Sequence, residues 1–275
     1  MKIESTGWVL ACDIDDTLVP TGSRSNAERA AGNAALATLC TVIGEARAQS
    51  DMPIYFGSVT GRTIASHTEY EDETPALAAA VSAMDFKVTS VGAESHIRTP
   101  SGFERISDWP QTTGWNRSKV SQALLGYPDL RLQPDIAQGD YKVSFDVEGE
   151  TDDHDAYVAT IAARLAKEGL AAHIVFSGGV YLDILPQGVD KGSGLLHTVR
   201  SLSPARPYII AADDSMNGRD LLRAADMAIL PGNAHDSLRR WAKAALPPEK
   251  LYIAKAAFAA GILEGINNSG LPVRP

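Results

Sequence analysis

Short apolar runs alternate with longer helical patterns in the N-terminal part of the chain. Residues 8–12 are continuously apolar and are followed by Asp13, and residues 53–57 form a second such run. Runs of this kind predict strands buried on both faces, as in a parallel sheet. The Ala-rich stretch 26–48 between them has helical spacing, and a second helix is predicted from about residue 63. Strand–helix–strand–helix order favours a parallel α/β sheet.

The middle of the chain has a different pattern. Residues 141–147 alternate between apolar and polar side chains, as an antiparallel strand does. Further short elements are predicted as strands at 87–91, 94–97, 173–176 and 180–185 and as helices at 118–125 and 156–168. The parallel pattern resumes with buried strands at 208–212 and 226–230.

These patterns predict the α/β fold class, with a Rossmann-like parallel-sheet core and a smaller inserted α+β cap domain. Residues 1–92 and 183–275 are assigned to the core, and residues 93–182 are assigned to the cap.

Composition restricts the class of partner and the compartment. A net charge of −9 argues against nucleic acid or an anionic membrane as the main partner. No apolar stretch approaches the roughly 20 residues that span a bilayer. The two cysteines, Cys12 and Cys40, lie in apolar surroundings, so we expect no disulfide framework and a cytoplasmic location.

Three aspartates follow the first apolar run, in the sequence Asp13-Ile14-Asp15-Asp16-Thr17. The spacing of Asp13 and Asp15, in a loop after a buried strand, lets both carboxylates project into one site. One can attack phosphorus and form an aspartyl-phosphate, while the other protonates the leaving oxygen and later activates water. An acidic loop or a helix N-cap also favours these residue types, so this motif alone leaves both interpretations open.

Three further polar segments follow predicted strands, where the ligand sites of open α/β sheets lie. Thr60, Gly61 and Arg62 offer a hydroxyl and backbone N–H groups that can hold phosphate oxygens. Lys191 can neutralise a phosphate and the carboxylates around it. The carboxylates of segment 213–220 can complete an oxygen-rich site suited to Mg²⁺. A simple turn, a solvated lysine and a capped helix start are the alternative interpretations of these three segments.

The four segments occur in a fixed order, with a separate domain between the second and the third. This arrangement resembles the haloacid dehalogenase superfamily of phosphatases, in the subgroup whose α/β cap is inserted after the second motif. Within it the chain is most similar to the sucrose-6-phosphate phosphatase-like sugar phosphatases. The similar stretches are residues 13–17, 60–62, 142–145, 181–192, 232–235 and parts of the tail at 251–254 and 260–262.

The resemblance implies a role for each of five residues. Asp13 would be the nucleophile and a metal ligand. Asp15 would be the general acid and base, with its backbone carbonyl on the metal. Thr60 and Lys191 would complete the catalytic set by binding the transferring phosphoryl group, and Asp214 would ligate Mg²⁺.

Specificity is expected to lie in the cap, which closes over the site in such enzymes. Lys142 and Ser144 are candidates for contacts with sugar hydroxyls, and Gln133 and Gln138 are weaker ones. The full predicted substrate-binding set is Thr60, Gly61, Arg62, Lys142, Ser144, Lys191 and Asn217. For Trp109 and Trp115 the packing of a cap loop is favoured over stacking on a sugar face.

The fourth segment departs from the family pattern, which is Gly-Asp-Ser-x-Asn-Asp. Asp213 stands where the family has glycine, and Gly218 stands where it has the last aspartate. The main metal carboxylate is retained as Asp214, but a supporting carboxylate is missing. Asp213 and Asp220 are candidate substitutes, although neither occupies the matching position.

The predicted function is therefore Mg²⁺-dependent hydrolysis of a phosphomonoester on a small sugar, through an aspartyl-phosphate intermediate. The resemblance does not separate sucrose-6-phosphate from glycosyl-polyol, amino-sugar or cyclitol phosphates. A phosphosugar mutase is one alternative, and a non-catalytic sugar-phosphate-binding protein is another. The expected partner is a small sugar phosphate, with neither nucleic acid nor membrane, and the sequence says nothing of oligomeric state.

Overall fold

The computed structural model describes residues 6–110, 112, 114–149 and 154–271 and organises their strands into two sheets. The strands are β1 (Trp8–Cys12), β2 (Ile54–Val59), β3 (Phe86–Thr89), β4 (Glu94–Thr99), β5 (Gly102–Arg105), β6 (Leu130–Leu132), β7 (Val143–Val147), β8 (Ala172–Ser177), β9 (Tyr181–Pro186), β10 (Tyr208–Ala212), β11 (Met227–Leu230) and β12 (Leu251–Ile253). The helices are α1 (Asn26–Gln49), α2 (Ile64–Glu73), α3 (Pro75–Ser82), α4 (Arg117–Leu124), α5 (His154–Lys167), α6 (Lys191–Leu202), α7 (Arg219–Ala224), α8 (Asp236–Ala245) and α9 (Phe258–Ile266).

The larger sheet has the strand order β12-β11-β10-β1-β2-β3-β4-β5. It is parallel from β12 to β3, and β4 and β5 continue it in antiparallel fashion. Every residue of β1 is buried, because helices cover both faces of this central strand. Cys12 pairs with Ala212 of β10 and with Ser58 of β2, so three strands end at the same level. The α/β fold class predicted from the sequence is confirmed.

Helices cover the two faces of this sheet in separate layers. On one face α1 and α9 pack against β1 and β11, and on the other α6, α7 and α8 do so. Helix α1 begins at a capping box formed by Ser25 and Glu28, which satisfies the first backbone N–H groups. Its buried positions, Leu36, Leu39 and Ile43, recur at helical spacing and form one apolar stripe. None of the described helices is both long and apolar enough to cross a membrane.

The smaller sheet is wholly antiparallel, in the order β6-β7-β9-β8. One face packs against α4 and α5 in its own apolar cluster. The other face carries Ser144 of β7 and Asp183 of β9, which pair across the strands. It also carries the buried apolar side chains of Val175 and Leu185, which cluster with Val91 and Ala93. This face thus combines a polar patch with an apolar contact to the segment that precedes β4.

The borders between the sheets differ from the division made on sequence. Residues 94–105, assigned there to the cap, form β4 and β5 at the edge of the larger sheet, and β9 of the smaller sheet extends to Pro186. The alternation of a strand indicates its orientation and its exposed face, but not the sheet to which it belongs. We propose that the cap is the part of the chain that contains the smaller sheet, at about residues 107–186.

Side-chain hydrogen bonds link the two parts at the carboxyl edge of the larger sheet. Thr63 Oγ1 donates to the carbonyl of Ile136 at 2.5 Å, and Lys142 Nζ donates to that of Gly61 at 3.0 Å. Trp109 Nε1 donates to the carbonyl of Gly92 at 2.7 Å. The ring of Trp109 also stacks on His197, with 4.9 Å between the centroids, which favours the packing interpretation of this tryptophan.

Gly92 allows α6 to approach the sheet, and this gives a test of the packing. Its φ is +96°, and an added Cβ would lie 1.9 Å from the carbonyl oxygen of Asp190. Gly102 is the matched control, because its φ is +123° but nothing lies within 4 Å of the corresponding Cβ. Both substitutions by alanine carry backbone strain of about 1–3 kcal/mol. Only Gly92→Ala adds a backbone collision, so we expect its Tm to fall at least about 5 °C further than that of Gly102→Ala. Equal shifts would show that the approach of α6 does not depend on Gly92.

Candidate active site

Four predicted site residues meet where the central strands of the larger sheet end, together with Asp213, a candidate substitute for the missing carboxylate. Asp13 follows β1, Thr60 follows β2, and Asp213 and Asp214 follow β10, while Lys191 is the first residue of α6. All five are at most 4 % exposed. Parallel strands that end at the same level bring the loops after β1, β2 and β10 together, and the first residue of α6 adds Lys191 to them.

Lys191 is the central cation of the site. Its Nζ lies 3.1 Å from Asp13 Oδ1 and 2.8 Å from Asp213 Oδ2, and it donates to Asn217 Oδ1 at 3.1 Å. An ammonium group has three N–H donors, and these contacts use all of them. Burial alone would lower the pKa of Lys191, but Asp13 and Asp213 raise it above its usual range. Lys191 is therefore charged throughout the physiological range of pH.

Three buried carboxylates surround this ammonium group. Oxygens of Asp13, Asp213 and Asp214 lie within 4.8 Å of one another. Burial, followed by Asp213 and Asp15 as nearby charges, raises the pKa of Asp13 to about 7, although Lys191 opposes this shift. Burial and the charges of Asp213 and Asp13 raise the pKa of Asp214 to about 8. When all three carboxylates are ionised, they leave two negative charges beyond the one that the ammonium group offsets, so this part of the structure suits a divalent cation bound by oxygen ligands.

The loop after β1 turns sharply and contacts the carboxylate of Asp214, which follows the neighbouring strand β10. Asp16 has a φ of 53°, a left-handed conformation that aspartate tolerates better than most residues. Its Oδ1 accepts from Thr21 N at 3.0 Å and from Arg24 Nε at 3.3 Å, which stabilises the turn. One residue on, Thr17 Oγ1 donates to Asp214 Oδ1 at 3.0 Å. Thr17 thereby orients the predicted metal ligand, a role that sequence reasoning did not assign.

Asp15 and Arg62 form a bidentate ion pair. Arg62 Nε donates to Asp15 Oδ2 at 2.9 Å, and Arg62 Nη2 donates to Asp15 Oδ1 at 2.8 Å. The guanidinium group also lies over the ring of Tyr70, 4.1 Å from its centroid. Both residues were predicted at the site, but the prediction directed Arg62 to the substrate. In this structure Arg62 instead binds the carboxylate of Asp15.

Thr60 and Gly61 form the loop that the cap contacts. Thr60 Oγ1 accepts from the backbone N–H of Arg62 at 3.2 Å, which closes a tight turn. The carbonyl of Gly61 accepts from Lys142 of the cap. The loop that is predicted to hold phosphate is thus the same loop that the cap binds.

Lys142 and Ser144, the predicted sugar ligands, lie on the polar patch of the cap and share one partner. Lys142 Nζ is 3.3 Å from Asp183 Oδ1, and Ser144 Oγ donates to the same oxygen at 2.5 Å. Gln138 fixes this strand by donating to the carbonyl of Ser144 and accepting from its N–H. The hydroxyl of Ser144 is buried, so in this conformation it orients Asp183.

Sequence reasoning did not single out Asp183. The signal that could have found it is the alternation of β9, which puts residue 183 on the face opposite the apolar Leu182 and Ile184. Asp220, one of the two proposed substitutes in the fourth motif, lies elsewhere. Its carboxylate pairs with Arg223 at 3.2 Å and with Arg219 at 3.7 Å.

Comparison with known proteins identifies the family whose sequence pattern the chain matches. A family model described as sucrose-6F-phosphate phosphohydrolase matches residues 7–269. Sucrose-phosphatase 1 of Nicotiana tabacum is 32 % identical over 219 residues, which are 77 % of this chain and 49 % of that protein. The chain thus spans about half the length of this curated plant relative.

Two further proteins resemble the chain over most of its length. Mannosylfructose-phosphate phosphatase of Agrobacterium fabrum is 26 % identical over 194 residues, which are 69 % of this chain and 75 % of that protein. The X-ray structure of the sucrose-phosphatase from Synechocystis sp. in complex with sucrose and phosphate has a TM-score of 0.74 and 22 % identity, and covers 96 % of this chain and 98 % of that one. At this identity, the structural likeness shows the fold.

The raised pKa values of Asp13 and Asp214 predict how the metal-free protein responds to pH. Between the ordinary carboxyl pKa and about 7 or 8, the folded chain holds protons that the unfolded chain has lost. Each such proton lowers the free energy of unfolding by about 1.4 kcal/mol per pH unit as pH rises. We therefore expect Tm in a chelator to fall by at least about 5 °C between pH 6 and pH 8.

Two controls identify the groups responsible for this fall in Tm. The Asp13→Asn variant should show a smaller fall, because it lacks one of the two groups. Saturating Mg²⁺ should raise Tm more at pH 8 than at pH 6, because cations bind ionised carboxylates. A Tm in chelator that is flat or that rises over this range would contradict the assignment.

Proposed function

The chain belongs to the sucrose-6F-phosphate phosphohydrolase family, and we propose that it hydrolyses a phosphomonoester of a small sugar through an aspartyl-phosphate on Asp13. The observation that carries the proposal is the contact of Asp13 with Lys191 inside the buried carboxylate cluster. An ionised carboxylate held beside a fixed ammonium group is a suitable nucleophile for a phosphoryl group, whose negative charge the ammonium offsets.

Mg²⁺ is the cofactor that we propose for this cluster. The side chains of Asp13 and Asp214 and the backbone carbonyl of Asp15 would hold it, and these are the hard oxygen ligands that Mg²⁺ prefers. In their ionised forms the three carboxylates carry two negative charges that Lys191 does not offset, which supports a divalent ion. When bound, it supplies positive charge that offsets the repulsion between the nucleophile and the phosphate.

The proposed reaction has two steps. An oxygen of Asp13 forms a bond to phosphorus while the bond from phosphorus to the sugar oxygen breaks, and Asp15 gives a proton to that oxygen. In the second step Asp15 takes a proton from water, whose oxygen bonds to phosphorus as the bond to Asp13 breaks. The sugar and inorganic phosphate are the products. Thr60 and Lys191 would hold the phosphoryl oxygens in both steps.

The ion pair between Asp15 and Arg62 must break during the proposed reaction. The hydrogen bonds from Arg62 occupy both carboxylate oxygens of Asp15. The first step requires the protonated form, so we propose that substrate binding separates the pair. Arg62 then becomes available to the phosphate oxygens, as the sequence predicts.

The polar patch of the cap supports a sugar as the leaving group. Lys142 and Ser144 are both held by Asp183, and Lys142 also contacts the loop that carries Thr60. Such fixed donors and acceptors suit sugar hydroxyls. The names of the relatives place sucrose-6-phosphate and mannosylfructose phosphate first among substrates to test. Glycosyl-polyol, amino-sugar and cyclitol phosphates complete the set.

We also propose that the protein acts in the cytoplasm. Both of its cysteines, Cys12 and Cys40, are unpaired in the structure. Free thiols of this kind are typical of a reducing compartment.

Phosphate release from this panel of sugar phosphates, with and without Mg²⁺, tests the proposed function. We expect Mg²⁺-dependent release from one or two members of the panel. Asp13→Asn should lower kcat at least about 1,000-fold, because it removes the nucleophile. The matched control is Asp16→Asn in the same loop, whose carboxylate binds Thr21 and Arg24 and lies outside the cluster; its kcat should stay within about tenfold of the unaltered chain.

The products of the same assay distinguish the alternatives. An isomerised sugar phosphate in the NMR spectrum, without free phosphate, would identify a mutase. Calorimetric binding of a panel member at saturating Mg²⁺ without any turnover would identify a binding protein. Undiminished kcat in Asp13→Asn would exclude Asp13 as the nucleophile.

A further inference from the structure

Gly218 is required by a neighbouring side chain and not by its own backbone. Its φ of −87° and ψ of −2° are open to any residue. An added Cβ, however, would lie 1.9 Å from Cγ and 2.1 Å from Oδ2 of Asp213. The carboxylate of Asp213 therefore fills the space into which a side chain at position 218 would project.

Asp213 is buried completely, and both of its oxygens are engaged. Oδ2 lies 2.8 Å from Lys191 Nζ, and Oδ1 accepts from the backbone N–H of Ser215 at 3.1 Å. The same ammonium group contacts Asp13. Asp213 thus connects the loop after β10 to the cation beside the nucleophile.

These contacts connect the two departures from the family pattern in the fourth segment. We propose that Asp213 and Gly218 are one coupled exchange, in which the carboxylate that the pattern carries at position 218 is supplied from position 213 and positions Lys191 against Asp13. The role of Lys191 in this statement rests on the proposed function. The steric relation between positions 213 and 218 does not.

Asp213 is a positioning residue in this assignment. Its carboxylate acts through Lys191, whose three N–H donors are directed to Asp13, Asp213 and Asn217. Without the Asp213 carboxylate, the ammonium group loses its shortest contact. The lysine side chain then has freedom to leave Asp13, and the transition state loses a fixed charge.

A stability experiment tests the steric half of the proposal without any measurement of activity. Gly218→Ala is made in the natural chain and in the Asp213→Gly background, and Tm is measured for each. We expect the alanine to lower Tm by about 5 °C or more in the natural chain, because it overpacks against Asp213, and by under about 2 °C in the second background. Gly44→Ala is the control, since nothing lies within 4 Å of its Cβ. An equal fall in both backgrounds would overturn the coupling.

A kinetic experiment on the same pair tests the functional half. Asp213→Asn keeps the shape and removes the charge, so its Tm should stay within about 5 °C of the natural chain. Its kcat should fall about 10- to 100-fold while KM changes by less than about threefold, as expected for loss of an orienting partner. A merely structural role would lower Tm without this split between kcat and KM.

The reciprocal exchange D213G/G218D completes the kinetic test. We expect it to regain at least about tenfold in kcat over the single variant Asp213→Gly, because the carboxylate returns from the other position. A folded double variant with no more activity than Asp213→Gly would overturn the shared role, as would an Asp213→Asn variant with natural kcat. If the natural chain releases no phosphate from the panel, the proposed function fails separately, and the Tm comparison still decides the coupling.

Discussion

A buried ammonium group among carboxylates is the interaction on which the rest of the site depends. Taking charges out of water costs several kcal/mol per ion unless each is paired. Lys191 pairs with Asp13 and Asp213, and its burial is possible because α6 approaches closely at Gly92. The parallel register of β1 with β10 brings the two carboxylates to the same level. The register of the strands, the close approach of α6 and the pairing of the charges therefore depend on one another. A change to any of them would leave a buried charge without its partner.

A hydrogen bond joins the cap to the loop of residues 60–62, which is predicted to hold phosphate. Gly61 lies between Thr60 and Arg62, and its carbonyl accepts from Lys142, which is itself held by Asp183. A sugar that displaces Lys142 from either partner would alter the contact between the cap and the loop. Recognition of the leaving group and positioning of the phosphoryl group therefore share one backbone segment.

Much of this organisation is predictable from the sequence, because strand ends and their polar residues are local features. The central strands and the meeting of Asp13 with Asp214 follow from apolar runs and from the geometry of parallel sheets. Lys191 follows the antiparallel β9, so its place in the site is predicted only by the family resemblance. The assignment of β4 and β5 to the larger sheet cannot be predicted from the apolar runs, because the alternation of a strand carries no information about its partner strand. The pairing of Arg62 with Asp15 and the space that Asp213 takes from Gly218 are equally non-local. They depend on distances of a few ångströms between loops, which only the folded chain defines.

The space shared by positions 213 and 218 also restricts the evolutionary paths of this sequence. A lineage that moves between the two patterns by single substitutions passes either through two aspartates competing for one volume or through two glycines with no carboxylate. The first intermediate is overpacked, and the second leaves an ammonium group short of a partner. Each substitution is harmful without the other, which is sign epistasis between neighbouring side chains. Homologous chains are therefore expected to carry one carboxylate at one of the two positions, and the two positions to change together.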